Sequence, residues 1–470
     1  MENRREFLKS VLLGGAAMVA APQILWGRAK TDAWRQVPDI LRRIKPPVFP
    51  KRDFPVTNYG AAGDGVTDCT DALRQAIGAC HQAGGGRVVV PGGTFLTGAI
   101  HLQSNVNLHV TEHATIKFST DANKYLPLVF TRWEGLELMG YSPFIYAFAQ
   151  ENIAVTGSGT LDGQGDNTHW WHWNGNKKHG WAEGMPNQRA ARKTLLEMAE
   201  SGVPVSERKF GPGSYLRPQF IQPYRCQNVL IEGVTIKNSP MWEIHPVLCV
   251  NVTVRGVKIA SHGPNNDGCD PESCRDVLIE NCVFDTGDDC IAIKSGRNAD
   301  GRRLNVPTEN IIIRGCLMKD GHGGITVGSE ISGGVRNLFA ENCRLDSPNL
   351  DHALRVKNNA MRGGLLENFY FRNINVGQVA HAVITIDFNY EEGAKGAFTP
   401  IVRNYVVENL RSGKSTYGLD VQGFANAPIY DLRLENCTLD NVARGNIVAN
   451  VKGVTLKKVK INGKLIENLT

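Results

Sequence analysis

One nine-residue pattern recurs through the second half of the chain and restricts its fold more than any other feature. Asn228-Val-Leu-Ile-Glu-Gly-Val-Thr-Ile236 aligns with segments that begin at Asn251, Asp276, Asn310, Asn337, Asn368, Asn404, Asp431 and Gly453. The second and fourth positions are apolar in every copy, and the fifth is always charged, from Glu232 to Lys457. The seventh is Val, Cys, Ile or Leu, and the ninth is apolar except at Ser412. Apolar residues two apart describe a strand with one buried face, and the charge marks a step turned to solvent. Copies begin as little as 22 residues apart (Asp431 to Gly453) and as much as 36 (Asn368 to Asn404), too variable for a helical-pair repeat. Short strands joined by adjustable loops and stacked coil on coil fit that spacing. The reading is an all-β solenoid, a single-stranded parallel β-helix.

Several other segments take their meaning from this pattern. Cys282, Cys316, Cys343 and Cys437 share the seventh position, so they should stack inside the tube as small hydrophobes, neither metal ligands nor a disulfide set. Cys226, Cys249, Cys269, Cys274 and Cys290 are left open. Asn105-Val-Asn-Leu and Asn152-Ile-Ala-Val look like first coils of the same tube. Ahead of them, Thr70 to Ala83 reads as a helix with Leu73, Ile77 and Cys80 on one face, capped by Asp68 or Thr70 and stopped at Gly84. It would cap the open end of the first coil. Residues 30–52 read as a linker or an edge wrap, and 53–470 as the solenoid domain. An insertion at about 166–217 carries Trp170, Trp171, Trp173 and Trp181, which would either stack on sugar rings or pack the insertion onto the tube.

Composition adds boundaries. A net charge of +6 over 470 residues, without a Lys/Arg block, argues against nucleic-acid binding and mildly favours a polyanion. Residues 1–29 look like an export signal: Arg4-Arg5-Glu-Phe-Leu-Lys9 precedes a small apolar run from about Val11 to Ala21. The twin arginines resemble a twin-arginine signal, with an ordinary secretory signal as the alternative. The run is too short to span a bilayer, so the mature protein is expected to leave the cytoplasm, periplasmic or extracellular in a bacterium, as a monomer without stable membrane insertion.

Chemistry gathers on successive repeats. Asp267 lies 16 residues after Asn251, Asp288 and Asp289 lie 12 and 13 after Asp276, and His322 lies 12 after Asn310. Arg355 and Lys357 follow Asn337 by 18 and 20. Neighbouring strands are about 4.8 Å apart, so stacked coils would bring these groups onto one patch. Paired carboxylates suit glycoside hydrolysis, one as a proton donor and one activating water. Crowded carboxylates cannot all ionise easily, so at least one should hold its proton. Two cations beside them suit a sugar that itself bears a carboxylate. Asp270, Asp285 and Glu330 are read as structural or solvated, and His245 as structural.

As a set, Asn265-Asn266-Asp267, Gly287-Asp288-Asp289, Gly321-His322-Gly323 and Arg355-Val356-Lys357 closely resemble the four signature segments of glycoside hydrolase family 28, the polygalacturonases. Asn58-Tyr-Gly-Ala-Ala-Gly-Asp-Gly-Val-Thr-Asp68 resembles the opening segment of that pectinase-like β-helix group. The resemblance runs from about residue 54 to the C-terminus. It implies a right-handed β-helix and inverting hydrolysis of α-1,4-galacturonosyl linkages in a pectic polysaccharide or oligosaccharide, with no metal or cofactor. It makes Asp288 the general acid, Asp267 and Asp289 the holders of the water, and His322 the group that tunes the acid. Arg355, Lys357 and Asn265 would bind substrate. Asn266 stands where the family usually has Thr, and Gly268-Cys-Asp-Pro-Glu272 is more like bacterial members than fungal endo-acting ones, which leaves chain-end preference open on these residues; an exo-type bacterial member is expected if the insertion at about 166–217 closes one end of the cleft. Two alternatives stand beside this reading: pectate-lyase-type elimination on the same fold, with the acids gathering Ca²⁺, and a glycan-binding solenoid without catalysis.

Overall fold

The computed structural model describes residues 32–469; the export-signal reading falls outside them. The chain divides after Gln36. The first unit contributes one described element, a 3-10 turn at Ala33–Gln36. The second, from Val37 on, is a right-handed parallel β-helix. Three sheets run along it. The first extends from Asp53–Pro55 to Val451–Lys452 and the second from Asp64–Asp68 to Lys464–Ile466. The third has a short part ending at Ile221–Tyr224 and a longer one beginning at Ile291–Ile293, joined by single bridges through Ile244 and Cys269 and through Val247 and Glu272.

The repeat is the register of this tube. Its second position forms the pairs Val229↔Val252, Val252↔Val277, Val277↔Ile311, Ile311↔Leu338 and so on to Leu432. The seventh position is buried in every copy, and so are all eleven cysteines, each unpaired. The four singled out by register and the five left open are therefore all core residues. The fifth position alternates in sign from Glu232 to Glu408 and forms a ladder outside: Arg255 meets Glu232 at 3.3 Å and Glu280 at 2.6 Å, and Arg314 meets Glu280 at 2.6 Å. Such half-exposed pairs contribute about 0–1 kcal/mol each and chiefly oppose slippage.

The first position has a separate role. Asn228, Asn251, Asp276, Asn310, Asn337, Asn368, Asn404 and Asp431 all take φ between 58° and 64°, the left-handed conformation that Asn and Asp tolerate best after Gly. Their side chains stack as an amide ladder: Asn337 donates to Asn310 at 3.1 Å and receives from Asn368 at 3.2 Å. The corner between loop and first sheet is thus fixed identically in each coil. Residues Val37–Arg43 form a helix whose Arg43 grips Asp276 at 2.7 Å, while Lys45 N–H donates to Asn251 Oδ1.

The expected cap is a helix at Thr70–Gln82 with Leu73, Ile77 and Cys80 buried against the first coil. Asp68 accepts from Thr70 N–H at 2.9 Å. Two excursions leave the tube before the repeat region. An antiparallel hairpin, Val129–Trp133 with Leu136–Gly140, has no signature in the repeat. It covers part of the third sheet's outer face, where Arg132 meets Glu272 at 2.9 Å and Glu272 meets His245 at 2.7 Å. His245 is therefore structural, as read from the sequence. The second excursion holds the helix Arg189–Glu200 and the tryptophans.

Replacing Asn337 by Ala should cost about 2–3 kcal/mol, combining two lost amide bonds with the left-handed strain of a Cβ residue. Asn337→Gly removes the bonds without that strain and should cost less. Thermal midpoints of the two variants check the order; equal losses would mean the conformation contributes nothing.

Candidate active site

Asp267, Asp288, Asp289 and His322 occupy three successive turns from the second sheet to the third; Arg355 and Lys357 lie on the third-sheet strand His352–Lys357. The turns nest closely. His322 N–H donates to Asp288 O at 3.0 Å and Gly268 N–H to Asp289 O at 3.0 Å. A Cβ on Gly287 would stand 2.4 Å from Gly263 O, and one on Gly323 would stand 2.6 Å from Asp289 Oδ1. The glycines of Gly-Asp-Asp and Gly-His-Gly are there because backbone and carboxylate pass where a side chain would be. Asn266, in place of the family's usual Thr, is fully buried and accepts from Ser261 and Gly263 at 2.7 Å each. Its amide donates to Ser239 O and Met241 O, so it clamps the turn that carries Asp267.

The three carboxylates lie within 4.8 Å of one another, measured between one oxygen of each. Ammonium and guanidinium groups meet that charge. Lys357 Nζ is 2.5 Å from Asp289 Oδ2, and Arg355 is 3.6 Å from Oδ1. Lys294 Nζ is 3.3 Å from Asp267 and 3.3 Å from Glu330. With fixed cations already against the carboxylates, the cluster is a poor trap for a divalent ion, which weakens the Ca²⁺-dependent lyase reading. Arg355 and Lys357, expected to bind substrate, are first of all the partners of Asp289; Lys357 also lines the pocket described below.

Electrostatics separates the acids. Burial, and then Asp288, push Asp267 well above the usual carboxylate range against the pull of Lys294. Burial also acts to raise Asp288, but the hydrogen bond and charge of His322 outweigh it and bring it down to about 2. The same 3.1 Å contact from His322 Nδ1 raises the imidazole to about 9. At neutral pH this pair holds one proton, on the ring.

Two spaces meet at Asp288 and Asn265. One is a blind pocket of about 110 Å³, lined by Asp267, Lys294, Lys357 and Trp242. Its far wall is Glu134 at the hairpin tip, Arg192 of the helix Arg189–Glu200, Arg297, Glu330 and Glu391. These wall charges are paired: Arg192 with Glu134 at 2.7 Å, and Arg297 with Glu134 at 3.2 Å and Glu391 at 3.4 Å. The other is an open cleft of about 710 Å³ between His322 and the insertion. Arg217, fully buried, ties the two sides together, donating to Pro240 O, Pro264 O and Asn265 Oδ1 at 2.6–2.8 Å.

Sequence reasoning missed Lys294, Arg297, Arg192, Trp242 and Tyr390. Lys294 had a signal: Ile291-Ala-Ile-Lys294 and Leu354-Arg-Val-Lys357 occupy one register through Ile325, so both lysines point out of the same sheet. Glu330 and Asp270, read as structural or solvated, are buried around Lys294, and Glu330 is also pocket wall. Asp285 is half-buried and paired with His262 at 2.8 Å. The tryptophans of the insertion pack it down. Trp170 lies edge-on to Tyr125 and Trp173, and Trp171 donates to Ser239 O at 2.8 Å. None of the four lines either space, whereas Trp242 does, beneath Lys294 at 4.2 Å.

Comparison with known proteins places this geometry. The profile of the family "Glycosyl hydrolases family 28" matches residues 211–460, and that of "Rhamnogalacturonase A/epimerase, pectate lyase-like" matches 54–125. The chain is 48% identical to a solved hyperthermoactive exopolygalacturonase from Thermotoga maritima, covering 93% of this chain and 97% of that one with a TM-score of 0.90. It is 25% identical to an exo-poly-alpha-D-galacturonosidase of Dickeya chrysanthemi over 87% of this chain and 74% of that protein. It is 26% identical to a probable polygalacturonase of Vitis vinifera over 85% and 77%.

Arg217→Met should leave two buried carbonyls and the Asn265 amide oxygen short of donors. The expected cost is about 3 kcal/mol or more in stability. Differential scanning calorimetry checks it; an unchanged midpoint would show that water replaces the guanidinium.

Proposed function

Because the chain belongs to glycosyl hydrolase family 28, we propose that it removes single galacturonate units from the non-reducing ends of galacturonan chains, with inversion. The carrying observation is the position of Asp288 at the junction of the blind pocket and the open cleft. The glycosidic oxygen must lie beside the general acid, with the sugar under attack on the side of the other carboxylates. That puts the terminal sugar in the blind pocket and the remainder of the chain in the cleft. The wall of Glu134, Arg192 and Glu391 bars a further unit.

The roles follow from surroundings. Asp288 protonates the leaving oxygen. Asp267 and Asp289 hold the water, and Asp267 takes its proton. Geometry and charge rank the acids differently, since burial and the neighbouring Asp288 make Asp267 the more readily protonated of the pair. Position decides: Asp288 lines both spaces and stands where they meet, whereas Asp267 lines the blind pocket alone. Its high proton affinity makes it a strong base once ionised, and Lys294 supports that charge. The acids are closer than the roughly 6.5–9.5 Å common for inversion. Asp289, held by Lys357 and Arg355, is nonetheless a poor nucleophile, which favours direct attack by water. We also propose, from the twin arginines Arg4 and Arg5 and the small apolar run that follows them, that the enzyme is exported.

Asp288→Asn should lower kcat about 10²- to 10⁴-fold with little change in thermal midpoint, measured by reducing-end release from polygalacturonate; unchanged release would remove Asp288 from the mechanism. Early products of the native enzyme should be monomer by mass spectrometry, appearing first as the β-anomer by NMR. A ladder of oligomers would contradict exo action, and the α-anomer would contradict inversion.

The His322–Asp288 pair sets the pH dependence. It holds the proton destined for the leaving group below about 9 and loses it above, so kcat/KM should fall on the alkaline side as His322 deprotonates. In His322→Gln the proton must reside on Asp288 itself, and the alkaline limb should move to lower pH. Rate profiles of both enzymes check the direction; a limb that does not move would separate His322 from the acid.

A further inference from the structure

The insertion walls the open cleft with charge that the hydrolytic step does not use. Asn174, Asn176, Lys178 and His179 face the cleft from this side. Lys178 belongs to the 3-10 turn Lys177–His179, whose start is fixed by Asn176 Oδ1 accepting from Lys178 N–H at 3.0 Å. The turn ends at Gly180 with φ 83°, where a Cβ would stand 2.2 Å from Asn167 O. His179 lies edge-on to Trp171 at 6.5 Å, and Trp171 is wedged so tightly that a Cβ on Gly263 would stand 2.3 Å from its ring. The turn is therefore held at a set height over the cleft.

The two sides of the cleft differ in sign. Across from Lys178 stand His262, Asp320 and Asn349, with Asp285 behind His262. Asp320 accepts from Gly321 N–H at 3.0 Å and Asn349 Nδ2 at 3.3 Å, so this wall presents carboxylates and amides. Lys294, Lys357, Arg192 and Arg297 of the blind pocket each face a carboxylate of the protein. Lys178 makes no ion pair among the described residues, and it lines the side where the departing chain lies.

We propose that Lys178 is a specificity-determining residue that receives the carboxylate of the galacturonate unit on the leaving side of the scissile bond. The Asp320 wall repels that carboxylate and turns the unit's hydroxyl edge toward itself. The enzyme thereby reads the charge of the unit next to the one it removes. This rests on the galacturonan-hydrolysing reading of the blind pocket.

The test compares two disaccharides: digalacturonate, and its analogue whose reducing-end unit is neutral galactose. Native enzyme should show a kcat/KM about fivefold higher for the diacid. Lys178→Met should abolish that preference through KM while leaving turnover of the neutral-ended analogue unchanged. Lys178→Arg should keep most of the preference, and Lys177→Met, on the same turn, should keep all of it. A structural defect would lower both substrates together and leave the ratio intact. A native enzyme without preference, or Lys178→Met with the native ratio, overturns the proposal. Native enzyme that releases galacturonate from neither disaccharide overturns the hydrolytic reading and the proposal with it, a result visible before any variant is compared.

Discussion

The structure depends on the constant rise from one coil to the next. Backbone hydrogen bonds between parallel strands hold successive coils about 4.8 Å apart, and nothing in a side chain can stretch that distance. The left-handed Asn or Asp at each corner ensures that every coil enters the first sheet in the same phase. With rise and phase both fixed, residues on successive repeats have no choice but to stack. The cysteine column, the Glu–Arg ladder and the carboxylate cluster are three outcomes of that one constraint, differing only in which way the column faces.

Crowding of charge is the price of this arrangement, and the site shows how it is met. Three carboxylates on adjacent turns would repel one another beyond what burial allows. Lys294 and Lys357 emerge from the neighbouring sheet in one register and lie against Asp267 and Asp289. The remaining acid, Asp288, is given an imidazole instead, a partner that can hold or release a proton near working pH. A lysine there would fix Asp288 as a carboxylate permanently. The difference between the two kinds of partner separates an acid able to cycle from those that hold water.

The tube and the cluster were legible because both are periodic. Positions two, four, seven and nine of the repeat reappear as inward columns, and Asp267, Asp288, Asp289 and His322 converge as their register requires. What escaped was aperiodic. The hairpin Val129–Gly140 and the helix Arg189–Glu200 have no counterpart in other coils, so Glu134 gave no sign that it would meet Arg192 and Arg297 and close the pocket. Arg355 and Lys357 were placed on the right face, but spacing along the chain could not show that both would also pair with Asp289. For the tryptophans the sequence left two readings, sugar platform or packing onto the tube, and Trp170 and Trp171 are anchors.

All eleven thiols are interior and unpaired, so the core is complete without a single covalent cross-link. Its assembly requires no oxidant, and reductant cannot unmake it. A chain built this way is free to finish folding in a reducing compartment and then be carried, already shaped, to wherever its polymer lies.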